Sequence, residues 1–266
     1  MRTPTRALLG MIVLATTLTA WAQESGLRLE PAPAHRLNVE SLQRGARNFA
    51  NYCSTCHSAQ YMRYNRLTDL GISEQEIRDN LMFATDKIGS TMVSSISNAD
   101  GAAWFGTAPP DLSVEARIRG KDWLYSYLLA FYRDEKTATG WNNLVFNNVS
   151  MPHVLWERSG VQRLIETEYD DEDKAEAAVI AAKGLALSER INDQKYVVKT
   201  LTQDASGSMQ PVEYKAFVAD LVNYLDYVAE PVRNKRINIG IGVLIYLGIL
   251  LVFAYALKRA YWEDVH

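Results

Sequence analysis

The chain has 266 residues, of which 48% are hydrophobic and 22% are charged, and its formal net charge is -3. This length and composition indicate one sizeable folded domain or two small ones, and they exclude a largely disordered chain. A mildly acidic chain offers no basic surface for nucleic acid, so we expect no nucleic-acid partner.

An apolar segment lies at the start of the chain. Residues 1–22 combine Arg2 and Arg6 with an apolar stretch and a closing Ala-Trp-Ala, which is typical of a cleaved secretory signal peptide. The alternative, a short N-terminal anchor, would have roughly 12 apolar residues, too few to cross a bilayer. We therefore expect residues 1–22 to be removed and the rest of the protein to be exported.

A second apolar segment, residues 237–257, contains no charged residue. As a helix it would span about 31 Å, the thickness of the hydrocarbon core of a membrane. Basic residues flank it on both sides, so the order of signal peptide and anchor sets the predicted orientation. We expect an exported domain over residues 23–235, a transmembrane anchor over 236–258 and a cytoplasmic tail over 259–266.

The two cysteines of the chain, Cys53 and Cys56, are followed directly by His57. This C-x-x-C-H spacing is the attachment pattern of heme c. One helical turn puts both thiols on the same face, where they can reach two vinyl groups of one porphyrin. The adjacent imidazole can then bind the iron as the proximal axial ligand. The motif predicts one covalent heme c and an electron-transfer function.

Three other interpretations of the cysteine pair were weighed. A disulfide would suit an exported compartment but would not require His57. A zinc site needs four ligands, and the chain has no second cysteine pair. A thioredoxin-like redox pair is expected in a βαβ context, which the sequence pattern lacks.

The apolar periodicity predicts a helix over residues 38–51, capped by Asn38. Gly45 within this helix indicates either close approach of another helix or a tolerated surface glycine. The candidate partner is a helix over residues 211–229, which Pro211 would begin and Glu230-Pro231 would end.

Between these two helices we expect helices at residues 73–86 and 122–132 and loops at residues 89–100 and 136–149. The bulky residues of the second helix, Trp123, Tyr127 and Phe131 among them, are interpreted as core packing. The predicted fold class is mainly α: a cytochrome c-like heme domain with long loops, plus one C-terminal transmembrane helix.

Residues 166–176 are rich in acids. We interpret this segment as a solvated, mobile insertion with an acid-rich helix N-terminus. The alternative is a docking patch for a basic electron carrier.

The heme iron needs a second axial ligand; without one, its sixth coordination position stays open to small molecules. Met151 lies after a long loop and directly before Pro152, which suits a sulfur delivered to the far face of the heme. A thioether ligand also raises the potential, as a high-potential carrier requires. From the chemistry alone, His153 remains an alternative, and Met151 could be a core filler. The remaining candidates are less well placed: His35, Met62, Met82, Met92, Met209 and His266.

Several short motifs resemble the cytochrome c1 family in their order over residues 35–260. They are Leu42-Gln43-Arg44-Gly45, Tyr52-Cys53-x-x-Cys56-His57, Arg63-Tyr64, Pro109-Pro110-Asp111-Leu112-Ser113, Met151-Pro152, and Ala229-Glu230-Pro231 before the C-terminal anchor. The heme motif alone indicates any heme c protein, whereas the combination is specific to this family.

The resemblance implies a bacterial subunit of the cytochrome bc1 complex, the ubiquinol–cytochrome c reductase. Such a subunit takes an electron from the Rieske iron–sulfur protein and passes it to a soluble cytochrome c. The implied surroundings are cytochrome b, a homodimeric complex and the inner membrane, with the heme domain in the periplasm. No independent catalytic site is expected on this chain.

The resemblance also assigns roles to individual residues. It implies that His57 and Met151 are the axial ligands and that Pro110 lines the heme pocket, where a backbone carbonyl orients His57. It implies that Arg119 meets a heme propionate, with Arg117 as the competing residue. Because the chain lacks the extra cysteine pair of some bacterial relatives, packing must anchor the loop that carries Met151. Residues at about 158–207 match the mitochondrial pattern of the family poorly, so an insertion is predicted there.

Two alternative functions stay open. One is a heme c subunit of a terminal oxidase or nitric-oxide reductase, although such subunits usually carry an N-terminal anchor. The other is a heme sensor, which would favour an open or weakly bound iron.

Overall fold

The computed structural model describes residues 26–33, 35–182, 184–192 and 195–263. The predicted signal peptide, residues 1–22, lies outside these ranges, as does His266.

The helices are numbered here in chain order. They are α1 (Val39–Tyr52), α2 (Glu74–Asn80), α3 (Asn98–Phe105), α4 (Glu115–Ile118), α5 (Lys121–Leu129), α6 (Trp156–Ser159), α7 (Glu172–Ala181), α8 (Pro211–Ala229) and α9 (Arg233–Glu263), with a 3-10 helix at Tyr64–Leu70. The strands are β1 (Gly26–Arg28), β2 (Ala59–Arg63), β3 (Thr91–Met92), β4 (Phe131–Arg133), β5 (Trp141–Asn143), β6 (Gly160–Tyr169), β7 (Ala186–Asn192) and β8 (Lys195–Ser206).

Helices α1 and α8 form the centre of the domain, and both follow their predictions closely. The Asn38 side chain accepts a hydrogen bond from the Ser41 amide at 3.0 Å, so Asn38 caps α1 as expected. Helix α8 begins at Pro211 and ends before Glu230, because proline suits the first turn and Glu230 precedes another proline.

Gly45 lies where α1 crosses α8. A Cβ atom there would collide with the Asp220 carbonyl oxygen and would lie 2.6 Å from Tyr224 Cβ. The close helix approach suggested by the sequence is therefore confirmed. Beside it, Arg44 Nε donates to Asp220 at 2.6 Å, and the Phe49 and Tyr224 rings lie 5.6 Å apart.

The middle helices are shorter than predicted. Helix α2 is closed at its start by a capping box between Ser73 and Glu76, and it ends at Asn80 because the next residue, Leu81, turns into the core. Helix α5 ends at Leu129, and the residues after it form strand β4 and pair with β5. Aromatic residues such as Phe131 favour strands, and this pairing overrides the helical periodicity.

The stretches predicted as loops contain short elements of their own. Residues 89–100 include β3 and the start of α3, which Ser97 caps by accepting from the Asp100 amide at 3.1 Å. Residues 136–149 include β5. The periodicity was too short in both stretches to predict these elements.

A four-stranded antiparallel sheet, in the order β1-β7-β8-β6, occupies the predicted insertion. About 48% of the described residues are helical and 19% are in strands, so "mainly α" describes this part of the chain only roughly. The sheet was missed because β1 comes from the far N-terminal side of the domain and because one sheet face carries charged residues.

The acid-rich segment 166–176 is divided between this sheet and α7. Glu168 on β6 pairs with Lys195 on β8 at 3.1 Å. Asp171 caps α7 by accepting from the Asp173 and Lys174 amides, so the predicted acid-rich helix N-terminus is present.

Among the described residues, α9 is the one helix that is long and apolar enough to cross a membrane. Its most apolar window has a mean hydropathy of 2.5, and none of that window is buried against the rest of the protein. The helix extends beyond the predicted anchor, residues 236–258, into the predicted tail.

We expect Gly45→Ala to lower the free energy of unfolding by about 1–3 kcal/mol, because the added methyl group meets backbone of α8 that cannot move aside. Gly89→Ala is the matched control, since a Cβ there meets nothing within 4 Å. Thermal unfolding of both variants measures the difference. Equal stability of the two variants would contradict the tight crossing.

Candidate heme site

The cysteine motif lies at the C-terminal end of α1 and continues its turn. The Cys53 amide donates to Phe49 O at 2.9 Å, and the His57 amide donates to Cys53 O at 2.8 Å. The two thiols are not bonded to each other. The disulfide interpretation is therefore not supported. Burial raises the pKa of Cys53 to about 12 and also raises the pKa of Cys56.

The imidazole of His57 is oriented by the backbone. Its Nδ1 lies 2.8 Å from the Pro110 carbonyl oxygen. A carbonyl can only accept, so Nδ1 carries the proton and Nε2 is left with a free lone pair for a metal. Burial lowers the pKa of His57, which favours this neutral form.

The loop that supplies the Pro110 carbonyl is tied to the chain directly after the motif. The Leu112 amide donates to Ser58 O at 2.8 Å. The Asp111 carboxylate accepts from the Gln60 amide at 2.9 Å and from the Ser113 amide at 2.8 Å. These bonds hold residues 57–60 and 110–113 side by side and so fix the imidazole.

Helix α3 packs against this loop through Gly101, which lies next to Pro109. A Cβ at Gly101 would lie 2.5 Å from Pro109 Cδ, so only glycine lets the proline pack there. Sequence analysis placed residues 89–100 in a loop and therefore missed the role of this helix.

Met151 is half-buried beside a small apolar cluster of Phe131, Trp141 and Val149. Its sulfur accepts a hydrogen bond from the Tyr127 hydroxyl at 3.4 Å. Three other methionines considered as ligands are buried in the main core instead: Met62, Met82 and Met92.

His153, the alternative ligand from chemistry alone, is 3% exposed and its imidazole is engaged in packing. Its Nε2 lies 2.8 Å from Ser159 Oγ, and its ring stacks on Phe131 at 4.7 Å between centroids. Burial lowers the pKa of His153 to about 3, so the ring is neutral. These contacts make His153 a structural residue and favour Met151 as the ligand.

The loop before Met151 is held by asparagine side chains that the sequence analysis did not identify. Asn142 Oδ1 accepts from the amides of Asn143 and Asn148, at 2.8 and 2.9 Å. Asn143 Oδ1 accepts from the Val145 amide at 2.9 Å, and its Nδ2 donates to Tyr127 O at 2.8 Å. The loop is therefore anchored by hydrogen bonds as well as by the expected packing.

Arg119 and Arg117 lie in different surroundings. The Arg119 guanidinium lies 4.4 Å from the Trp123 ring centroid and pairs with Glu115 at 3.0 Å. Arg236, and more weakly Arg117, lower the pKa of Glu230. Arg119 thus packs on Trp123, whereas Arg117 acts on Glu230 near the start of α9.

The donor set fits a heme better than a bare metal ion. Among residues 26–33, 35–182, 184–192 and 195–263, no three His, Cys, Asp or Glu side chains gather in a group that could hold a metal ion. An imidazole with one free nitrogen, a half-buried thioether and two thiols on one turn are the groups that heme c uses.

These features define the class of a heme-bearing electron carrier with an apolar C-terminal helix. The cytochrome C1 family model matches residues 30–265. The chain belongs to the cytochrome c1 family, which implies heme c and an electron-transfer role in the cytochrome bc1 complex.

Two relatives are similar over nearly the whole chain. Cytochrome c1 of Allochromatium vinosum is 40% identical over 98% of this chain and 99% of its own length. A protein of Nitrosomonas europaea named ammonia monooxygenase gamma subunit is 40% identical over 96% of this chain and 97% of its own. A third relative, named cytochrome b/c1, from Bradyrhizobium diazoefficiens, is 22% identical over 88% of this chain, which covers 34% of that protein.

We expect Asp111→Ala to destabilise the folded protein by about 1–3 kcal/mol, because two backbone amides lose their acceptor. Asp111→Asn retains one carbonyl oxygen and should lose less. Urea unfolding of the heme-loaded protein measures both. If Asp111→Ala were as stable as the native protein, the loop would not depend on this carboxylate.

Proposed function

We propose that this chain carries one electron from the Rieske iron–sulfur protein to a soluble cytochrome c through a covalently attached heme c. The observation that supports this best is the hydrogen bond from His57 Nδ1 to the Pro110 carbonyl, which leaves Nε2 available to an iron. The electron-transfer role itself follows from membership of the family.

The residues assigned to the heme are those of the site above. Cys53 and Cys56 would hold the porphyrin through thioether bonds, and His57 Nε2 and Met151 Sδ would bind the iron. When bound, the heme supplies a one-electron couple. Two further residues complete the proposed set. Pro110 would line the heme pocket, and Arg119 would pair with a heme propionate.

Each assigned side chain has a definite task. The Pro110 carbonyl orients His57 and makes it a stronger donor. The Met151 thioether would favour the reduced form of a bound heme and so would raise its potential. With both axial positions filled, the chain would bind no substrate at the iron, and catalysis would belong to the complex as a whole.

Cytochrome b is the partner that family membership suggests, and the relative named cytochrome b/c1 agrees with it. The Rieske protein, the soluble cytochrome c and a homodimeric complex complete the proposal. The predicted signal peptide, together with α9, favours an inner-membrane protein with a periplasmic heme domain and a cytoplasmic C-terminus.

A second candidate follows from the name of the Nitrosomonas relative, ammonia monooxygenase gamma subunit. The same heme site would then serve a monooxygenase assembly. The site residues suit either assembly, so the proteins bound to the chain decide between the two.

We expect Met151→Leu to leave the heme covalently attached but to lower its potential by on the order of 100 mV, because the thioether ligand is lost. Met92→Leu is the matched control, since Met92 is buried and, like Met151, its sulfur accepts from a tyrosine hydroxyl, that of Tyr224, at 3.6 Å. Redox titration of the detergent-solubilised protein measures both. An unchanged potential in Met151→Leu, or rapid carbon monoxide binding by the reduced native protein, would overturn the ligand assignment.

A chain ending before Arg236 should be a soluble heme protein in the exported compartment, because most of α9 is removed. Membrane fractionation in a strain that lacks cytochrome b measures this without help from the complex. If the shortened chain stayed with the membrane in that strain, α9 would not be its anchor.

A further inference from the structure

A row of aromatic rings with a spacing of four residues begins on α5. The Trp123 and Tyr127 rings are stacked, with centroids 5.1 Å apart and planes at 8°. The Tyr127 and Phe131 rings meet edge to face, with centroids also 5.1 Å apart. The Arg119 guanidinium covers the outer end of the row, 4.4 Å from the Trp123 centroid. The sequence pattern predicted core packing alone for these rings.

The inner end of the row is closed by His153. Its ring is parallel to Phe131 at 4.7 Å and perpendicular to Trp141 at 5.1 Å. The contact between His153 Nε2 and Ser159 Oγ fixes that ring in turn. The Tyr127 ring is thus packed on both sides, and the direction of its hydroxyl is determined by its neighbours.

That hydroxyl points at the sulfur of Met151, with 3.4 Å between Tyr127 Oη and Met151 Sδ. A thioether sulfur has two lone pairs and is a weak hydrogen-bond acceptor. One lone pair could bind an iron while the other accepts from the hydroxyl. The two interactions are therefore compatible at the same sulfur.

We propose that Tyr127 is a positioning residue for the axial sulfur, and that its hydroxyl both orients Met151 and raises the redox potential of the heme. This inference rests on the proposed function, in which Met151 is a ligand. A donor on the sulfur withdraws electron density that would otherwise reach the iron. The oxidised iron needs that density more than the reduced iron does, so the reduced form is favoured.

The test is Tyr127→Phe in the full-length, heme-loaded protein, because this change keeps the ring contacts and removes only the hydroxyl. We expect the equilibrium constant for reduction to fall about threefold to tenfold, or about 30–60 mV at about 59 mV per tenfold. The absorption band of the methionine–iron(III) bond should also shift, because the sulfur becomes a stronger donor.

Tyr125→Phe is the matched control on the same helix. The Tyr125 hydroxyl donates to a different acceptor, Lys215 O, at 3.4 Å. Its removal should leave the potential and the methionine–iron band unchanged. An equal shift in both variants would assign the effect to general loosening of α5 and would overturn the proposal.

A second variant covers the case in which Tyr127→Phe does not fold. Site-specific 3-fluorotyrosine at position 127 keeps the hydroxyl and makes it a stronger donor, so the potential should rise. A packing defect would not produce a rise. Only the Tyr127 variants that fold are compared with the native protein. If the redox potential of the heme is unchanged in such a variant, the inference is overturned.

Met151→Leu separates this inference from the proposed function. If Met151→Leu removes the methionine–iron band while Tyr127→Phe leaves the potential unchanged, the ligand assignment stands and only the role of Tyr127 fails. If Met151→Leu leaves the band in place, both fail together.

Discussion

The close crossing of α1 and α8 at Gly45 is the constraint on which the rest of the domain depends. Helix α1 ends in the cysteine motif, and α8 leads within a few residues into the apolar helix α9. The contact between Gly45 and the Asp220 backbone therefore links the helix that ends in the cysteine motif to the helix that precedes α9. Because the Asp220 carbonyl fills the space that a side chain at position 45 would need, the two helices have little freedom to slide past each other.

The two proposed iron ligands are held by different means. His57 is oriented by the Pro110 carbonyl, and the loop that carries this carbonyl is tied to residues 58–60 by the Leu112 amide and the Asp111 carboxylate. Met151 is fixed by side chains, through the aromatic row and the asparagines before it.

The sequence predicted local features well and non-local ones poorly. Asn38 and Pro211 mark helix starts through their own chemistry, so both long helices of the domain were correctly bounded. The sheet includes pairing between β1 and β7, which are more than 150 residues apart in the sequence. Charged residues on one face of the sheet also obscure the alternation of apolar and polar residues that would predict its strands. Chemistry alone left Met151 and His153 both open as ligands. The family resemblance implies Met151, and the burial of His153 favours the same assignment.

The central claim is that this chain is the heme c subunit of a cytochrome bc1 complex, and its bound proteins test it most directly. The native complex would be solubilised in detergent, purified through a tag on this chain, and analysed by mass spectrometry and heme spectroscopy. The account predicts that a cytochrome b and a Rieske protein co-purify with the heme c in constant ratio. Purification with monooxygenase or terminal oxidase subunits, and without cytochrome b, would contradict it.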